Sequence, residues 1–166
     1  MVYFEMVRLG GRLSMIMAQS KVHFTPPGLM ARVINRLYGK LASIGIGPSY
    51  GFLLLTKGRK SGRTVATPIN MLRHEGKLYL VGTRGHTQWS RNALAAGRVT
   101  LKRGRTRINF RLKAIPDSEK SEILKAYLIR FNWMVARFFS VPADAPVDSF
   151  AAIAVDYPVF ELLREK

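Results

Sequence analysis

Runs of apolar residues, separated by turns rich in glycine and charge, divide the middle of the chain into strands. The pattern predicts a three-stranded meander over residues 50–57, 64–74 and 77–82. A hairpin around Gly104 follows, with arms over residues 99–102 and 105–115. In its second arm apolar residues alternate with polar and cationic ones, so one face is apolar and the other cationic. The ordinary interpretation of that cationic face is a solvated surface.

Helical spacing of apolar residues appears in three other segments. It predicts an amphipathic helix over residues 30–41, a short helix over residues 88–96, and a long helix that begins near Pro116 and ends near Phe139. Residues 150–157 and 159–163 are predicted to supply a closing strand with an extension. The pattern therefore predicts one compact domain of mixed strands and helices with an N-terminal extension.

The composition bounds the class of protein. A chain of 166 residues with 48% apolar content suits a single domain. Lysine and arginine number 27 against 10 acidic residues, and the formal net charge of +17 predicts attraction to nucleic acid, anionic lipid or a phosphorylated ligand. Because the chain has no cysteine, it has no disulfide, thiol nucleophile or cysteine-based metal site. Any redox chemistry therefore requires a bound cofactor.

Residues 1–24 are predicted to be a basic leader, followed by the domain over residues 25–166. Two interpretations stay open. The segment is a leader that is mobile or that results from a wrongly assigned start position, or it is a basic amphipathic element that lies on an anionic membrane. No apolar stretch approaches the roughly 20 residues that span a bilayer, and no signal peptide is predicted. We expect a cytoplasmic protein, with peripheral contact at the inner face of the cell membrane under the second interpretation.

The main candidate for chemistry is a basic loop between two predicted strands, Gly58-Arg59-Lys60-Ser61-Gly62-Arg63, preceded by Lys57. Glycine lets backbone N–H groups approach an anion closely, and the cations supply charge-assisted hydrogen bonds. A generic surface turn and an anion-binding loop are both open interpretations. The glycine spacing does not match a P-loop, and the serine is misplaced for a nucleophile elbow.

A second cluster of the same character follows the third predicted strand. It consists of Gly82, Thr83, Arg84 and Gly85, then Gln88, Trp89 and Asn92. Both loops leave strands of one predicted sheet, so we expect them to meet on one ligand that combines anionic groups with an apolar ring system. The three histidines lie in different elements without a second ligand at metal spacing, so no metal site is predicted.

These residues resemble a known family. The segment over residues 53–63, with Thr67-Pro68-Ile69 after it, is similar to the signature of the deazaflavin-dependent nitroreductase family, oxidoreductases of actinobacteria that use coenzyme F420. The similarity continues through residues 76–82, the helix with Trp89 and Asn92, and Gly97-Arg98-Val99, and it ends at Pro158-Val159-Phe160-Glu161-Leu162. It covers roughly residues 30–163.

The resemblance implies an α+β fold, an FMN-binding-like split β-barrel that is mainly antiparallel and has flanking helices. It implies coenzyme F420 as the cofactor, with FMN as the alternative. By this resemblance, the phosphate and oligoglutamate tail are bound by Arg59, Lys60, Ser61, Gly62 and Arg63. The deazaflavin region is contacted by Pro68 and Ile69, and the cleft is completed by Gly82, Thr83, Arg84, Gly85, Gln88, Trp89 and Asn92. Val65 stands where members often carry a second basic residue.

The activity implied by the resemblance is hydride transfer from C5 of the reduced deazaflavin to a small-molecule acceptor, either a quinone, an activated alkene or a nitro compound. Tyr127, Phe131 and Trp133 loosely match the substrate-side tyrosines of some members, and Tyr127 is the candidate proton donor. Two other classes stay open: a non-catalytic binder of cofactor or lipid on the same barrel, and a nucleic-acid-binding module. The last is disfavoured because the cations are not interleaved with stacking aromatics.

Overall fold

The computed structural model describes the backbone of residues 5–9 and 12–16 and the whole of residues 48–165. Strands β1 (Glu5–Leu9) and β2 (Arg12–Ile16) pair antiparallel, from Glu5 opposite Ile16 to Leu9 opposite Arg12. The predicted helix over residues 30–41 lies outside the described residues, and so do the side chains of the basic leader. Among the described residues, no helix is long and apolar enough to cross a membrane.

The remaining strands confirm the predicted meander and hairpin. They are β3 (Gly51–Lys57), β4 (Thr64–His74), β5 (Lys77–Val81), β6 (Arg98–Arg103), β7 (Thr106–Ala114) and β8 (Val159–Arg164). Glu75 and Gly76 both adopt positive φ angles, 49° and 72°. A two-residue turn of this kind matches the twist of the strands that it joins, so β4 and β5 form a tight hairpin.

Strands β3 to β8 close into a barrel in the order β3-β4-β5-β8-β7-β6. Every neighbouring pair is antiparallel, and pairing of β3 with β6 through Leu54 and Leu101 completes the closure. Closure leaves no open sheet edge in the barrel. The predicted α+β split β-barrel, mainly antiparallel with flanking helices, is confirmed.

Within residues 48–165, three helices flank the barrel: α1 (Gln88–Ala96), α2 (Ser121–Val135) and α3 (Val147–Ala151). Short 3-10 turns lie at Asp117–Glu119, Ala136–Phe138 and Ala154–Asp156. The prediction of α1 is confirmed at both ends, because the apolar spacing and the Gly97 that follows it are local signals.

The buried side chains form two cores. The first fills the barrel, since all six strands contribute to it: Leu54, Ile69, Leu80, Val99, Leu101, Phe110 and Leu162, with Ala93 from α1. The second lies between the outer face of β4, β5 and β8 and the helices, and includes Leu72, Tyr79, Val159, Leu124, Tyr127, Phe131 and Phe150. The predicted apolar stripe of α2 is thus largely core.

Two predicted elements differ from the structure. The strand predicted over residues 150–157 is wrong: helix α3 begins after Pro146, which suits a helix start, and Phe150 is fully buried in the second core. The long helix predicted to reach Phe139 departs from helical dihedral angles at Phe131 (φ −120°, ψ 19°). The break falls where the Phe131 ring packs against the rings of Tyr50 and Tyr127, with centroids 5.1 and 4.7 Å away.

Candidate functional site

The basic loop, residues 58–63, is a compact connection between β3 and β4. The Gly58 N–H donates to the Arg63 carbonyl at 2.8 Å, and the Gly62 N–H donates to the Gly58 carbonyl at 2.7 Å. A Cβ on Gly58 would lie 2.7 Å from Ser61 Oγ, and Gly62 has a φ of +66°. The two glycines are therefore required by the close approach at the first and by the left-handed backbone at the second.

Helix α1 holds Arg59 in place. The guanidinium Nη1 donates to Gln88 Oε1 at 2.9 Å and to Asn92 Oδ1 at 3.1 Å, and the Arg59 backbone N–H reaches Asn92 Oδ1 at 3.3 Å. Gln88 and Asn92 lie one turn apart on the same face of the helix. Both acceptors are neutral amides, so Arg59 is oriented without losing its positive charge.

The cations of the loop have no acidic partners in the part of the chain that the structure describes. The two ion pairs there join Lys113 to Glu161 and Lys120 to Asp117. Lys57, Arg59, Lys60 and Arg63 are all exposed. Several uncompensated cations on a braced loop would suit a polyanion, because no acidic side chain of the described residues neutralises them.

An apolar strip runs away from the basic loop along the outer face of β3 and β4. Leu54 points into the barrel, so its neighbours Leu53 and Leu55 point outward. They are half-buried and stand opposite Pro68 and Ala66 of β4. We call these four residues the apolar strip. The whole of strand β3, which includes the strip, extends about 20 Å at roughly 3.3 Å per residue.

Helix α2 stands at the far end of the apolar strip. Gly51 and Asn70 form the next outward pair, and Asn70 Nδ2 lies 3.9 Å from Met134 Sδ. The Arg130 guanidinium lies 5.5 Å from the centroid of the Tyr50 ring. An elongated ligand on this face would thus have cations at one end, apolar side chains along its length, and an amide with aromatic neighbours at the other end.

The residues of the predicted second cluster lie in two different places in the structure. Gln88 and Asn92 join the basic loop, whereas the Arg84 guanidinium lies 4.6 Å from the centroid of the Phe138 ring. Burial lowers the pKa of Arg84, and the nearby charge of Arg137 lowers that pKa further. The basic loop thus meets helix α1 through Arg59, whereas the predicted meeting of the two loops on one ligand and the cofactor contacts predicted for Gly82, Thr83, Arg84 and Gly85 stay predictions.

Gly82 is closely packed where β5 ends. Its N–H donates to the Pro158 carbonyl at 2.8 Å, and an added Cβ would lie 2.6 Å from Pro158 Cγ and 3.1 Å from the Gly85 carbonyl oxygen. We expect Gly82→Ala to lower the free energy of unfolding by about 1–3 kcal/mol, because this site cannot accept a methyl group without moving the chain. Urea denaturation followed by circular dichroism measures the change, and an unfolding midpoint equal to that of the wild type would contradict it.

The other residues predicted for the site are spread between the apolar strip, the barrel interior and the second core. Pro68 faces outward in the apolar strip, whereas the Ile69 side chain packs inside the barrel and its backbone stands opposite Phe52 of β3, so the cofactor contacts predicted for both residues stay predictions. Trp89 is half-buried, and its ring centroid lies 5.9 Å from that of Phe160. Tyr127 is 3% exposed within the second core, away from the basic loop. Its role as proton donor stays a prediction.

Leu53, Leu55 and Asn70 were not predicted to belong to the site. Residues 52–55 form a continuous apolar run, and such a run does not indicate which side chains face outward. In the structure only Leu54 of this run is fully buried. The side chains that form the apolar strip can be identified only when the closed barrel shows which direction is inward.

A split β-barrel that carries an exposed basic loop beside an apolar strip is consistent with the flavin and deazaflavin oxidoreductase class. The family model for F420H(2)-dependent quinone reductases matches residues 31–134, which is more than half of the chain. The chain belongs to this family. It is therefore an F420H2-dependent reductase, and its cofactor is coenzyme F420.

Solved structures agree on the fold. A structure described as a domain-swapped dimer is 19% identical, with a TM-score of 0.51 over 80% of this chain and 92% of that chain. Protein Atu2129 from Agrobacterium tumefaciens, of unknown function, is 18% identical, with a TM-score of 0.52 over 86% of this chain and 60% of that chain. The comparison with curated proteins gave no significant match.

The described residues suit coenzyme F420. Its phosphate and glutamate tail are anionic, and the basic loop offers exposed cations without carboxylate partners. Its ring system is flat and largely apolar, as is the outward strip of Leu53, Leu55, Ala66 and Pro68. When bound in its reduced form, F420 supplies a hydride to the acceptor.

Proposed function

We propose that this reductase uses a quinone as its acceptor, with the coenzyme tail on the basic loop and its ring along the apolar strip. The observation that carries the proposal is the position of four unpaired cations at one end of an apolar outer face. The membership of the quinone reductase family supports the choice of acceptor.

The basic loop has the properties that tail binding requires. Arg59 is held by two amide acceptors of α1, so little side-chain freedom is lost when an anion binds. Lys60 and Arg63 extend into solvent beside it. Charge-assisted hydrogen bonds to phosphate and carboxylate groups are the strongest polar contacts available to such a loop.

The far end of the apolar strip has the properties that a quinone requires. Tyr50 and Met134 offer an apolar and aromatic surface for a flat ring. Among the described residues, the Asn70 amide lies 3.9 Å from the Met134 thioether, which is a weak acceptor. This N–H is therefore available to a quinone carbonyl, where it would orient the acceptor and stabilise negative charge that develops on the oxygen.

The proposed acceptor is tested by steady-state oxidation of reduced F420 with three acceptors: a benzoquinone, an activated alkene and a nitroaromatic compound. We expect the quinone to give the highest kcat/KM. Asn70→Ala should lower kcat/KM for the quinone about 10-fold, because one hydrogen bond to developing charge contributes roughly 1.4 kcal/mol or more.

His74→Ala, on the same strand but beyond the strip, is the matched control and should leave kcat/KM unchanged. A higher kcat/KM for the nitroaromatic compound than for the quinone would refute the assignment of the acceptor. Equal losses in Asn70→Ala and His74→Ala would remove Asn70 from the site.

Membrane contact through residues 1–24 remains a separate proposal, since those side chains lie outside the described residues. Vesicle co-sedimentation of the whole chain and of a form that starts at residue 25 tests it, and equal binding of the two forms would refute it.

A further inference from the structure

The β6–β7 hairpin concentrates positive charge. Residues 98–114 contain seven lysines and arginines and no acidic residue. Nothing in the proposed cofactor site uses this charge, because the basic loop lies between β3 and β4. The hairpin therefore holds a second concentration of cations.

The register of β6 and β7 places five of these cations on the outer surface of the barrel, and one of them, Lys113, lies 3.9 Å from Glu161. Val99, Leu101 and Phe110 fill the interior, so the residues that alternate with them point outward. The cationic face consists of Arg98, Lys102, Arg107 and Arg111. Between them the Thr100 hydroxyl donates to Asn109 Oδ1 at 2.8 Å.

The four cations form like-charged pairs directly across the strands. Arg98 stands opposite Arg111, and Lys102 stands opposite Arg107. Like charges in opposite positions destabilise an antiparallel sheet. Lys113, which points outward two residues after Arg111, pairs with Glu161 at 3.9 Å and is not counted in the cationic face. A surface that retains such repulsion is suited to an external polyanion that relieves it.

We propose that the cationic face binds the surface of an anionic phospholipid bilayer. Both strands are paired on each side within the closed barrel, so the face is a broad sheet surface. A broad cationic surface complements a planar array of lipid phosphates. Nucleic acid suits the face less well, because Phe110 is the one aromatic residue of the hairpin and is 3% exposed, which leaves no ring for base stacking.

The cationic face adjoins the apolar strip. Lys102 stands opposite Leu53, and Thr100 stands opposite Leu55, so the outer surfaces of β4, β3, β6 and β7 are continuous. A bilayer against β6 and β7 would therefore lie beside the surface proposed for the ring and the acceptor. This step rests on the proposed function: a lipophilic quinone would reach the strip directly from the membrane in which it dissolves.

Co-sedimentation of the full chain with vesicles tests the proposal. Vesicles of phosphatidylcholine alone are compared with vesicles that also contain phosphatidylglycerol, without cofactor. We expect binding only to the anionic vesicles, and binding about 25-fold weaker for Arg107→Gln/Arg111→Gln, since each cation near an anionic surface contributes a factor of about five. The control Arg73→Gln/Lys77→Gln removes the same charge from the exposed β4–β5 hairpin and should bind like the wild type.

Equal loss of binding in the two double variants would overturn the proposal in favour of net charge alone. It would also be overturned if the wild type bound duplex DNA more tightly than anionic vesicles at the same salt concentration, with the same dependence on Arg107 and Arg111. Reduction of a water-soluble quinone without vesicles is measured in parallel. Failure of that reaction in the wild type would reject the quinone assignment, whereas the vesicle result would stand by itself.

Discussion

Arg59→Ala is expected to weaken the binding of coenzyme F420 by about 10- to 100-fold, because hydrogen bonds to charged groups contribute roughly 1.5–3 kcal/mol. The side chain is already oriented by Gln88 and Asn92, so the wild type loses little entropy when the anionic tail binds. Fluorescence titration with oxidised F420 measures the change. Arg59→Lys should fall between the wild type and Arg59→Ala, since a lysine retains the charge but not the planar fork.

Two controls separate the tail from the rest of the coenzyme. Arg73→Ala removes the same charge from an exposed position on β4 and should leave F420 affinity unchanged. The deazaflavin chromophore without phosphate and tail should bind the wild type and Arg59→Ala equally. If Arg59→Ala weakens the chromophore as much as the complete coenzyme, Arg59 does not act on the tail and the proposed orientation on the strip is wrong.

Phe150→Ala is expected to lower the free energy of unfolding by about 3–5 kcal/mol, the usual cost of removing a large buried ring. Phe150 is 0% exposed and joins α3 to the core between α2 and the barrel. Urea denaturation of the full chain measures the loss through the transition midpoint and slope. This is a large part of the stability of an ordinary domain, so the variant is best studied at low temperature.

Trp133→Ala is the matched aromatic control for this prediction. Trp133 is 78% exposed, so its removal should change the free energy of unfolding by no more than about 0.5 kcal/mol. Equal destabilisation by the two substitutions would mean that Phe150 does not occupy the core, and it would reopen the strand that the sequence predicted for residues 150–157.

The basic loop could be identified from the sequence, whereas the contacts that it makes with distant segments could not. The basic loop is a continuous segment, and its glycines and cations can be identified without any tertiary information. The bonds between Arg59 and Asn92 join residues 33 positions apart, and the β3–β6 pairing that closes the barrel joins Leu54 to Leu101. No local pattern specifies such partners, although both residues of the first pair were predicted to bind the same ligand.

Elements whose signals are local were predictable from the order of the amino acids alone. Strand β4 and helix α1 begin and end where the alternation, the helical spacing and the flanking glycines predicted. The resemblance of residues 30–163 indicated the barrel and F420, and the family match confirms both. These features depend on neighbouring residues or on a contiguous motif, so they can be recognised without the tertiary structure.

Which face of each strand points outward depends on how the barrel closes. Residues 52–55 are apolar throughout, and closure of the barrel turns Leu54 inward and leaves Leu53 and Leu55 on the strip. The break in α2 falls at Phe131, which packs against the distant Tyr50, and a short helix with Phe150 buried in the second core replaces the predicted strand. In each case contacts between distant segments override local propensity, because burial of a large side chain contributes more than the preference of its own backbone.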